Sequence, residues 1–310
     1  MRAARFLLEL NKGKIKNISI NDSSQKAIAL AKKNFRLNGI SLNKANFSMQ
    51  DASIFLLNSA GFDYIDIDPF GSPNPFLDAA IKRISRGGIL AVTATDVSSL
   101  AGTYPEVCLR KYWALPLRNW MMHEVGLRIL IRKVQLIASQ HEKALVPIFS
   151  HSTEHYLRVY FSCDKSKEAA DKVISQHGWF VDGNSSSVAG PMWLGELWDS
   201  SLVEKMLKNA KKAEKSKSGK GNAGEGNANK DNKELMTLLL AIEKESKISA
   251  VGFYDVDELS SELKIQVPRR DLLIEKINSA GFQAASTHFN ASGLKTDIPF
   301  DKLRSIMKKL

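Results

Sequence analysis

The octapeptide DIDPFGSP at residues 66–73 constrains the fold more than any other feature of the chain. It closes an apolar run, Phe62–Ile67, with a carboxylate, a proline, an aromatic ring and a glycine. A buried strand that ends in Asp-Pro-Phe brings an acceptor, a rigid turn and a stacking face to the carboxyl edge of a sheet, where open α/β sheets bind ligands. These groups suit the exocyclic amine and the flat face of a nucleobase. The alternative is an ordinary strand-to-turn junction, because Asp and Pro both favour turns.

Strand and helix patterns alternate along the first half of the chain. Predicted strands occupy residues 15–20, 45–49, 62–67 and 89–93, and predicted helices occupy residues 2–10, 23–37, 52–60 and 74–84. A helical pattern at residues 108–140, interrupted at Pro116, precedes strands at 145–149 and 156–161, whose short connection predicts an antiparallel pair. We expect Ser23 or Asp22 to cap the second helix and Gly87-Gly88 to close the fourth. The alternation predicts a doubly wound parallel α/β sheet.

A carboxylate follows each of the four strands of this sheet: Asp22, Asp51, Asp68 and Asp96. Such a series can hold a ribose diol and an adenine amine, although a helix N-cap is the alternative role for each, notably for Asp22 and Asp96. The sequence contains no G-x-x-x-x-G-K-[ST] loop, and no G-x-G-x-x-G follows a predicted strand. Nucleoside triphosphate and nicotinamide chemistry are therefore unsupported.

Composition limits the class of protein. The net charge is +11, and residues up to Ser162 include 21 Lys and Arg against 12 Asp and Glu. A basic first half is compatible with a polyanion such as RNA, but it also serves solubility. Cys108 and Cys163 are the only cysteines, too few for a disulfide framework or a four-cysteine zinc site, so no metal is expected. No apolar stretch approaches the length of a membrane span, which favours a cytoplasmic protein without membrane contact.

The sequence pattern changes after Ser162, which predicts a catalytic domain at residues 1–162 and a smaller α+β domain at residues 163–310. A Lys-, Gly- and Asn-rich tract at residues 216–232 predicts a disordered linker inside the second domain. Beyond it, helices at 255–263 and 269–280, a strand near 283–289 and a helix from Phe300 suggest a winged-helix-like unit. Two short helices and a strand are also generic.

The chain resembles the tRNA (guanine-N2)-dimethyltransferase family over most of its length. The matching segments are DIDPFGSP at 66–73, PFLD at 75–78, TATD at 93–96, PE at 105–106, RKY at 110–112, HEVGLRIL at 123–130, HYLRV at 155–159, GPMWLG at 190–195, STH at 286–288 and KTD at 295–297. The resemblance implies a class I, Rossmann-like methyltransferase sheet with a C-terminal tRNA-binding domain. It also implies methyl transfer from S-adenosylmethionine to N2 of guanosine 26 in tRNA, giving first the monomethyl and then the dimethyl product.

The resemblance assigns roles to individual residues. Asp68 matches the family's catalytic carboxylate, with Pro69 and Phe70 beside it. The donor-binding residues that the family pattern implies are Arg2, which follows the first motif, Asp22 for the ribose, and Asp51 with Ala52 for the adenine. Asp68 would align the guanine amine and receive its proton, and Phe70 would stack on a base flipped out of the tRNA.

Two departures from the family pattern bear on these roles. Some members carry four cysteines between the Arg158 region and residue 190, whereas this chain has only Cys163 there, so no zinc site is expected. The chain also begins inside the first motif, so the sheet is expected to lack its first strand. We therefore expect upstream coding sequence that supplies this strand, and weak donor binding by the chain as written. The alternative function is a catalytically impaired RNA-binding remnant of the family; a base methyltransferase acting on rRNA or adenine fits the Asp-Pro-Phe order less well.

Overall fold

The computed structural model of the protein describes residues 2–10, 15–153, 155–181, 187–218 and 226–310, with the backbone alone at residues 2, 215–218 and 226–232. The first elements are helix α1, strand β1, helix α2, a short 3-10 helix, strand β2 and helix α3. They span Arg2–Glu9, Ser19–Asn21, Gln25–Leu37, Leu42–Lys44, Asn46–Ser48 and Ala52–Leu57. Strands β1 and β2 pair in parallel as a two-stranded sheet.

The central sheet has four strands in the order β3-β4-β6-β5. Strands β3 to β6 span Phe62–Ile67, Ile84–Ala94, Lys143–Thr153 and Tyr156–Lys165, and helices α4 to α7 span Asn74–Arg83, Val97–Leu100, Pro105–Tyr112 and Met122–Ser139. Strand β3 pairs with β4 in parallel, whereas β6 is antiparallel to both β4 and β5. The predicted antiparallel pair is therefore confirmed, and the sheet is mixed rather than wholly parallel. Among the described residues, the two-stranded and four-stranded sheets are separate.

Helix α7 packs against this sheet. Its residues are buried over most of its length, including Leu127, Ile129 and Leu130. Gly126 lets the helix approach α5 closely, because a Cβ atom at this position would lie 2.9 Å from the Leu100 carbonyl oxygen. Close packing on all sides fixes the loops at the carboxyl end of the sheet relative to one another.

Several predicted element bounds are wrong. Strand β1 begins at Ser19 rather than at residue 15, and α2 is capped by Ser24, whose hydroxyl accepts from the Ala27 N–H, rather than by Ser23 or Asp22. Gly87 and Gly88 lie inside β4 because β4 continues directly from α4 and pairs with β3 through an irregular register. The interruption predicted at Pro116 is present, but residues 113–121 separate the two helices, and the first of them begins at Pro105 rather than at residue 108.

Beyond β6, the described residues of the chain form six helices and five strands. Helices α8 to α13 span Lys167–Ile174, Ser200–Ser218, Gly226–Glu245, Val256–Leu263, Arg270–Ser279 and Phe300–Met307, and strands β7 to β11 span His177–Val181, Val188–Trp193, Tyr254–Asp255, Ala284–Ser286 and Gly293–Thr296. Strands β9, β10 and β11 form an antiparallel sheet with β11 in the centre. The order helix, strand, helix, helix, strand, strand from α10 to β11 matches the winged-helix-like hypothesis. This unit has its own hydrophobic core around Leu273, Ile277 and Leu294.

The domain division stays a prediction. Strand β6 runs through residue 162, so the predicted boundary at that position falls inside a strand. Helix α9 continues to Ser218 and α10 begins at Gly226, so both ends of the predicted linker at 216–232 are helical, and residues 219–225 lie outside the described residues. The apolar residues of α10, such as Leu239 and Ile242, belong to the main core, which explains why this helix forms directly after a polar tract.

Candidate active site

The DIDPFGSP segment begins in β3 and forms the loop at its carboxyl end. Ile65 and Ile67 of β3 are buried, whereas Asp66 between them is half-buried and Asp68, directly after the strand, is exposed. The side chain of Asp68 is 47% exposed, Pro69 is half-buried, and the ring of Phe70 is fully exposed. The structure therefore presents a carboxylate and an aromatic face together at a sheet edge, as the sequence predicts.

Two neighbouring elements hold this loop in place. The Gly71 N–H donates to Thr95 Oγ1 at 2.6 Å, and the Thr95 N–H donates to the Gly71 carbonyl oxygen at 3.0 Å. Gly71 has φ +86°, a left-handed conformation that glycine adopts without strain. From α6, the buried Tyr112 hydroxyl lies 2.7 Å from Asp96 Oδ1 and 3.0 Å from Ser72 Oγ. The ends of β3, β4 and α6 thus form one hydrogen-bonded unit.

Arg158 is a site residue to which the sequence analysis assigned no role. It lies on β6 and donates from Nη2 to both carboxylate oxygens of Asp66 at 3.0 Å, while its Nη1 lies 4.0 Å from Asp68 Oδ1. Burial by itself would lower the pKa of this guanidinium, but the Asp66 carboxylate and Tyr160 outweigh that effect and raise it. Its only sequence signal was its place in the HYLRV match; a buried arginine in a strand is unusual enough to mark a partner carboxylate.

The residues predicted to bind the donor lie at the corresponding end of the two-stranded sheet. Asp22 follows β1, and its Oδ1 accepts from the Ser24 N–H at 2.8 Å. Asp51 follows β2 and caps α3, where its Oδ1 accepts from the Ser53 and Ile54 N–H groups at 2.8 and 3.1 Å. Ala52 is the first residue of α3. The cap geometry expected as an alternative for Asp51 is therefore present.

Two hydrogen bonds fix the elements that carry the donor-site candidates. The Asp22 N–H donates to the Ser48 carbonyl oxygen at 3.3 Å, which ties together the ends of β1 and β2. Ser53, the second residue of α3, donates from Oγ to the carbonyl oxygen of Pro75 in the first turn of α4 at 3.4 Å. These bonds hold the ends of β1 and β2 together and place the start of α3 against the start of α4, the helix that follows the DIDPFGSP loop. Arg2 is described only as the first residue of α1, and its side chain lies outside the described part of the chain.

The described residues contain neither a cluster of metal ligands nor a membrane-spanning helix. No group of three or more His, Cys, Asp or Glu side chains in the described part is arranged to hold a metal ion. No helix in the same part is long and apolar enough to span a membrane.

Comparison with known proteins gives consistent results. A family model of N2,N2-dimethylguanosine tRNA methyltransferases matches residues 1–184 and 180–308. The chain is 35% identical over 335 residues to the tRNA (guanine(26)-N(2)/guanine(27)-N(2))-dimethyltransferase of Aquifex aeolicus, covering 100% of this chain and 80% of that protein. It is 37% identical over 312 residues to the tRNA (guanine(26)-N(2))-dimethyltransferase of Methanocaldococcus jannaschii, covering 96% of this chain and 78% of that protein.

A solved structure is similar over nearly the whole fold. It is Trm1 from Pyrococcus horikoshii in complex with S-adenosyl-L-methionine, with a TM-score of 0.85 and 30% sequence identity, covering 99% of this chain and 85% of that one. The similarity includes the mixed sheet and the C-terminal unit, since almost no part of the chain falls outside it.

Proposed function

Since the chain belongs to the N2,N2-dimethylguanosine tRNA methyltransferase family, we propose that it transfers methyl groups from S-adenosylmethionine to N2 of guanosine 26 in tRNA. The family identifies it as an S-adenosylmethionine-dependent methyltransferase of class I fold. The observation that carries the proposal is the accessible Asp68 carboxylate beside the exposed Phe70 ring at the carboxyl end of β3. Action on tRNA also implies work in the cytoplasm, where a basic first half suits a polyanionic substrate.

The reaction needs an acceptor for the proton of a weak nucleophile. S-adenosylmethionine supplies an electrophilic methyl group on a sulfonium centre. Asp68 accepts a hydrogen bond from the guanine N2 amine, aligns its lone pair, and takes up the proton that N2 loses as the new N–C bond forms and the S–C bond breaks. The ring of Phe70 stacks on the target base, which leaves the tRNA fold to reach the site.

The donor-site residues fit their proposed roles. Asp22 and Asp51 each use Oδ1 for a local turn or cap, and such a bond orients the second carboxylate oxygen away from the backbone. A pair of oriented carboxylates at adjacent strand ends suits a ribose diol and an adenine amine. We infer that Asp22 holds the ribose and that Asp51 with Ala52 contacts the adenine.

The alternative function, an RNA-binding remnant, is separated from the enzyme by a direct experiment. Unmodified tRNA is incubated with the chain and S-adenosylmethionine, digested to nucleosides and analysed by mass spectrometry. The enzyme produces N2-methylguanosine and then N2,N2-dimethylguanosine at position 26. Binding of tRNA without either product would establish the remnant instead.

A variant of Asp68 tests its assigned role. We expect Asp68→Asn, which keeps the shape and removes the proton acceptor, to lower the methylation rate by roughly 10²- to 10⁴-fold. Asp63→Asn is the matched control, because Asp63 is an exposed aspartate of β3 that lies outside the site. Binding of donor and tRNA should stay close to the wild-type values in both variants. An Asp68→Asn enzyme that kept more than about a tenth of the rate would show that another group accepts the proton.

A further inference from the structure

Trp113 is an exposed aromatic residue that none of the proposed catalytic steps uses. It directly follows α6 in the left-handed conformation, with φ +57°, and 49% of its surface is exposed. Its neighbour Tyr112 bonds Asp96 and Ser72 of the active-site loops. Left-handed geometry is uncommon for a bulky residue and concentrates at functional sites, because surrounding contacts must impose it.

Two cations from α7 hold Trp113 in this position. The ammonium of Lys133 lies 3.0 Å from the centroid of the indole and covers one face of the ring. Arg132 donates from Nη1 to the Trp113 carbonyl oxygen at 3.3 Å. Lys133 therefore covers one face of the indole ring. The opposite face is the one on which another planar group can stack.

The two cations are poorly compensated. Ion pairs of the described residues include neither Arg132 nor Lys133, and the buried Nε of Arg132 has no hydrogen-bond partner there. Burial, and secondarily the charge of Arg132, lowers the pKa of Lys133 to about 8. Exposed Arg110 in the last turn of α6 adds a third positive charge close by. Desolvated cations without carboxylate partners favour an anion supplied from outside.

We propose that Trp113 and Arg132 form a second nucleotide-binding site for the tRNA, in which a base next to the methylated guanosine stacks on the indole and its phosphate pairs with the guanidinium. Lys133 fixes the ring from the other side. An aromatic platform flanked by cations is the arrangement by which proteins hold single-stranded nucleotides. The proposal rests on tRNA being the substrate, and it deepens that assignment by placing the nucleotide beside the loops that present Asp68.

Equilibrium binding of tRNA over a series of salt concentrations tests the site. Trp113→Ala should weaken binding by roughly 5- to 150-fold without changing the slope of log Kd against log salt, because stacking releases no counterion. Trp113→Phe should recover much of the loss. Arg132→Gln should reduce the slope by about one, as expected for one lost phosphate contact.

Two further variants separate this site from a structural role. Arg86→Gln removes a surface arginine near the start of β4, at the end of the strand opposite to the active-site loop, and should leave affinity and slope unchanged. Trp113→Gly places the residue best suited to the left-handed conformation there, so its melting temperature should not fall, yet it should lose as much affinity as the alanine variant. Wild-type affinity in the Gly and Ala variants, or a loss of affinity that merely follows a loss of thermal stability, would overturn the proposal.

The same measurements distinguish this proposal from the proposed function. If wild-type protein binds tRNA with the expected dependence on Trp113 but forms no methylated guanosine, the site stands and the enzyme assignment fails. If methylation proceeds and Trp113→Ala has wild-type KM for tRNA, the assignment stands and the site fails.

Discussion

At the scale of single residues, the site depends on two aspartates with different partners. Asp66 lies on β3 and Asp68 directly follows it, but Arg158 pairs with both oxygens of Asp66 and lies 4.0 Å from Asp68 Oδ1. The side chain of Asp66 is 21% exposed and that of Asp68 is 47% exposed. Asp66 therefore neutralises the buried guanidinium, while Asp68 is the carboxylate accessible to a substrate amine.

A double-mutant cycle tests this division of roles. Arg158→Met should destabilise the protein by about 3 kcal/mol, because it leaves the Asp66 charge partly buried without its partner. Adding Asp66→Asn to Arg158→Met should restore part of the loss, since the remaining polar group is then neutral. Urea denaturation measures both changes. Asp66→Asn alone completes the cycle. If it changed the stability of wild type and of Arg158→Met by the same amount, the pair would contribute no coupling energy.

At the scale of secondary-structure elements, strand ends and helix starts carry both structure and function. Asp51 caps α3 with one oxygen, and a cap of this kind stabilises a helix by about 1 kcal/mol. The same residue is proposed to contact adenine, so cap and binding roles coexist rather than compete. In the tract that composition predicts as a linker, the flanking helices continue further than expected, since α9 ends at Ser218 and α10 begins at Gly226.

Substitutions on either side of the helix boundary test where the linker lies. If the linker prediction holds, replacing residues 219–225 by a neutral Gly-Ser sequence of equal length should change the free energy of unfolding by less than about 0.5 kcal/mol, because a linker contributes no buried contacts. By contrast, Leu239→Ala should cost roughly 2 to 5 kcal/mol, because this α10 side chain is buried in the main core. Thermal and urea unfolding give both values. A large effect of the loop replacement would show that the tract is a structural element.

At the scale of the whole molecule, a buried charge cluster joins α7 to the C-terminal unit. Glu124 on α7 accepts from Lys295 on β11 at 3.1 Å, from Arg128 at 2.9 Å and from the Gly252 N–H at 2.9 Å. Arg128 also donates to the Trp193 and Gly195 carbonyl oxygens, which ties in the GPMWLG segment. Burial alone would raise the pKa of Glu124, but Lys295 and Arg128 lower it to about 2.

The pH dependence of unfolding tests this cluster. Because the folded-state pKa of Glu124 lies below its ordinary value of 4.5, its contribution is complete above about pH 4.5 and is lost as the pH falls toward 2. Glu124→Gln should therefore be less stable than wild type at pH 7 by roughly 3 to 5 kcal/mol, and the difference should shrink through that window.

A surface glutamate gives the matched control. Glu142 forms an exposed ion pair with Lys167, so Glu142→Gln should change stability by at most about 1 kcal/mol. If the Glu124→Gln difference stayed constant from pH 7 to pH 2, the cluster would not depend on the charge of Glu124.

The sequence by itself determined what depends on local chemistry. The apolar run Phe62–Ile67 predicted β3 with its bounds, and the motif that follows predicted Asp68, Pro69 and Phe70 as site residues at its end. The terminal antiparallel pair followed from the short connection between its strands. These features arise within a few residues, where side-chain periodicity and turn propensity dominate the free energy.

Only the tertiary structure decided the contacts between distant segments. Arg158 meets Asp66 across 92 positions, and Lys295 meets Glu124 across 171. The Lys133 ammonium that covers one face of the Trp113 ring belongs to the same class. A charged or aromatic residue carries no local signal for its partner, because the partner is selected by how whole elements pack and by which buried charges must then be neutralised.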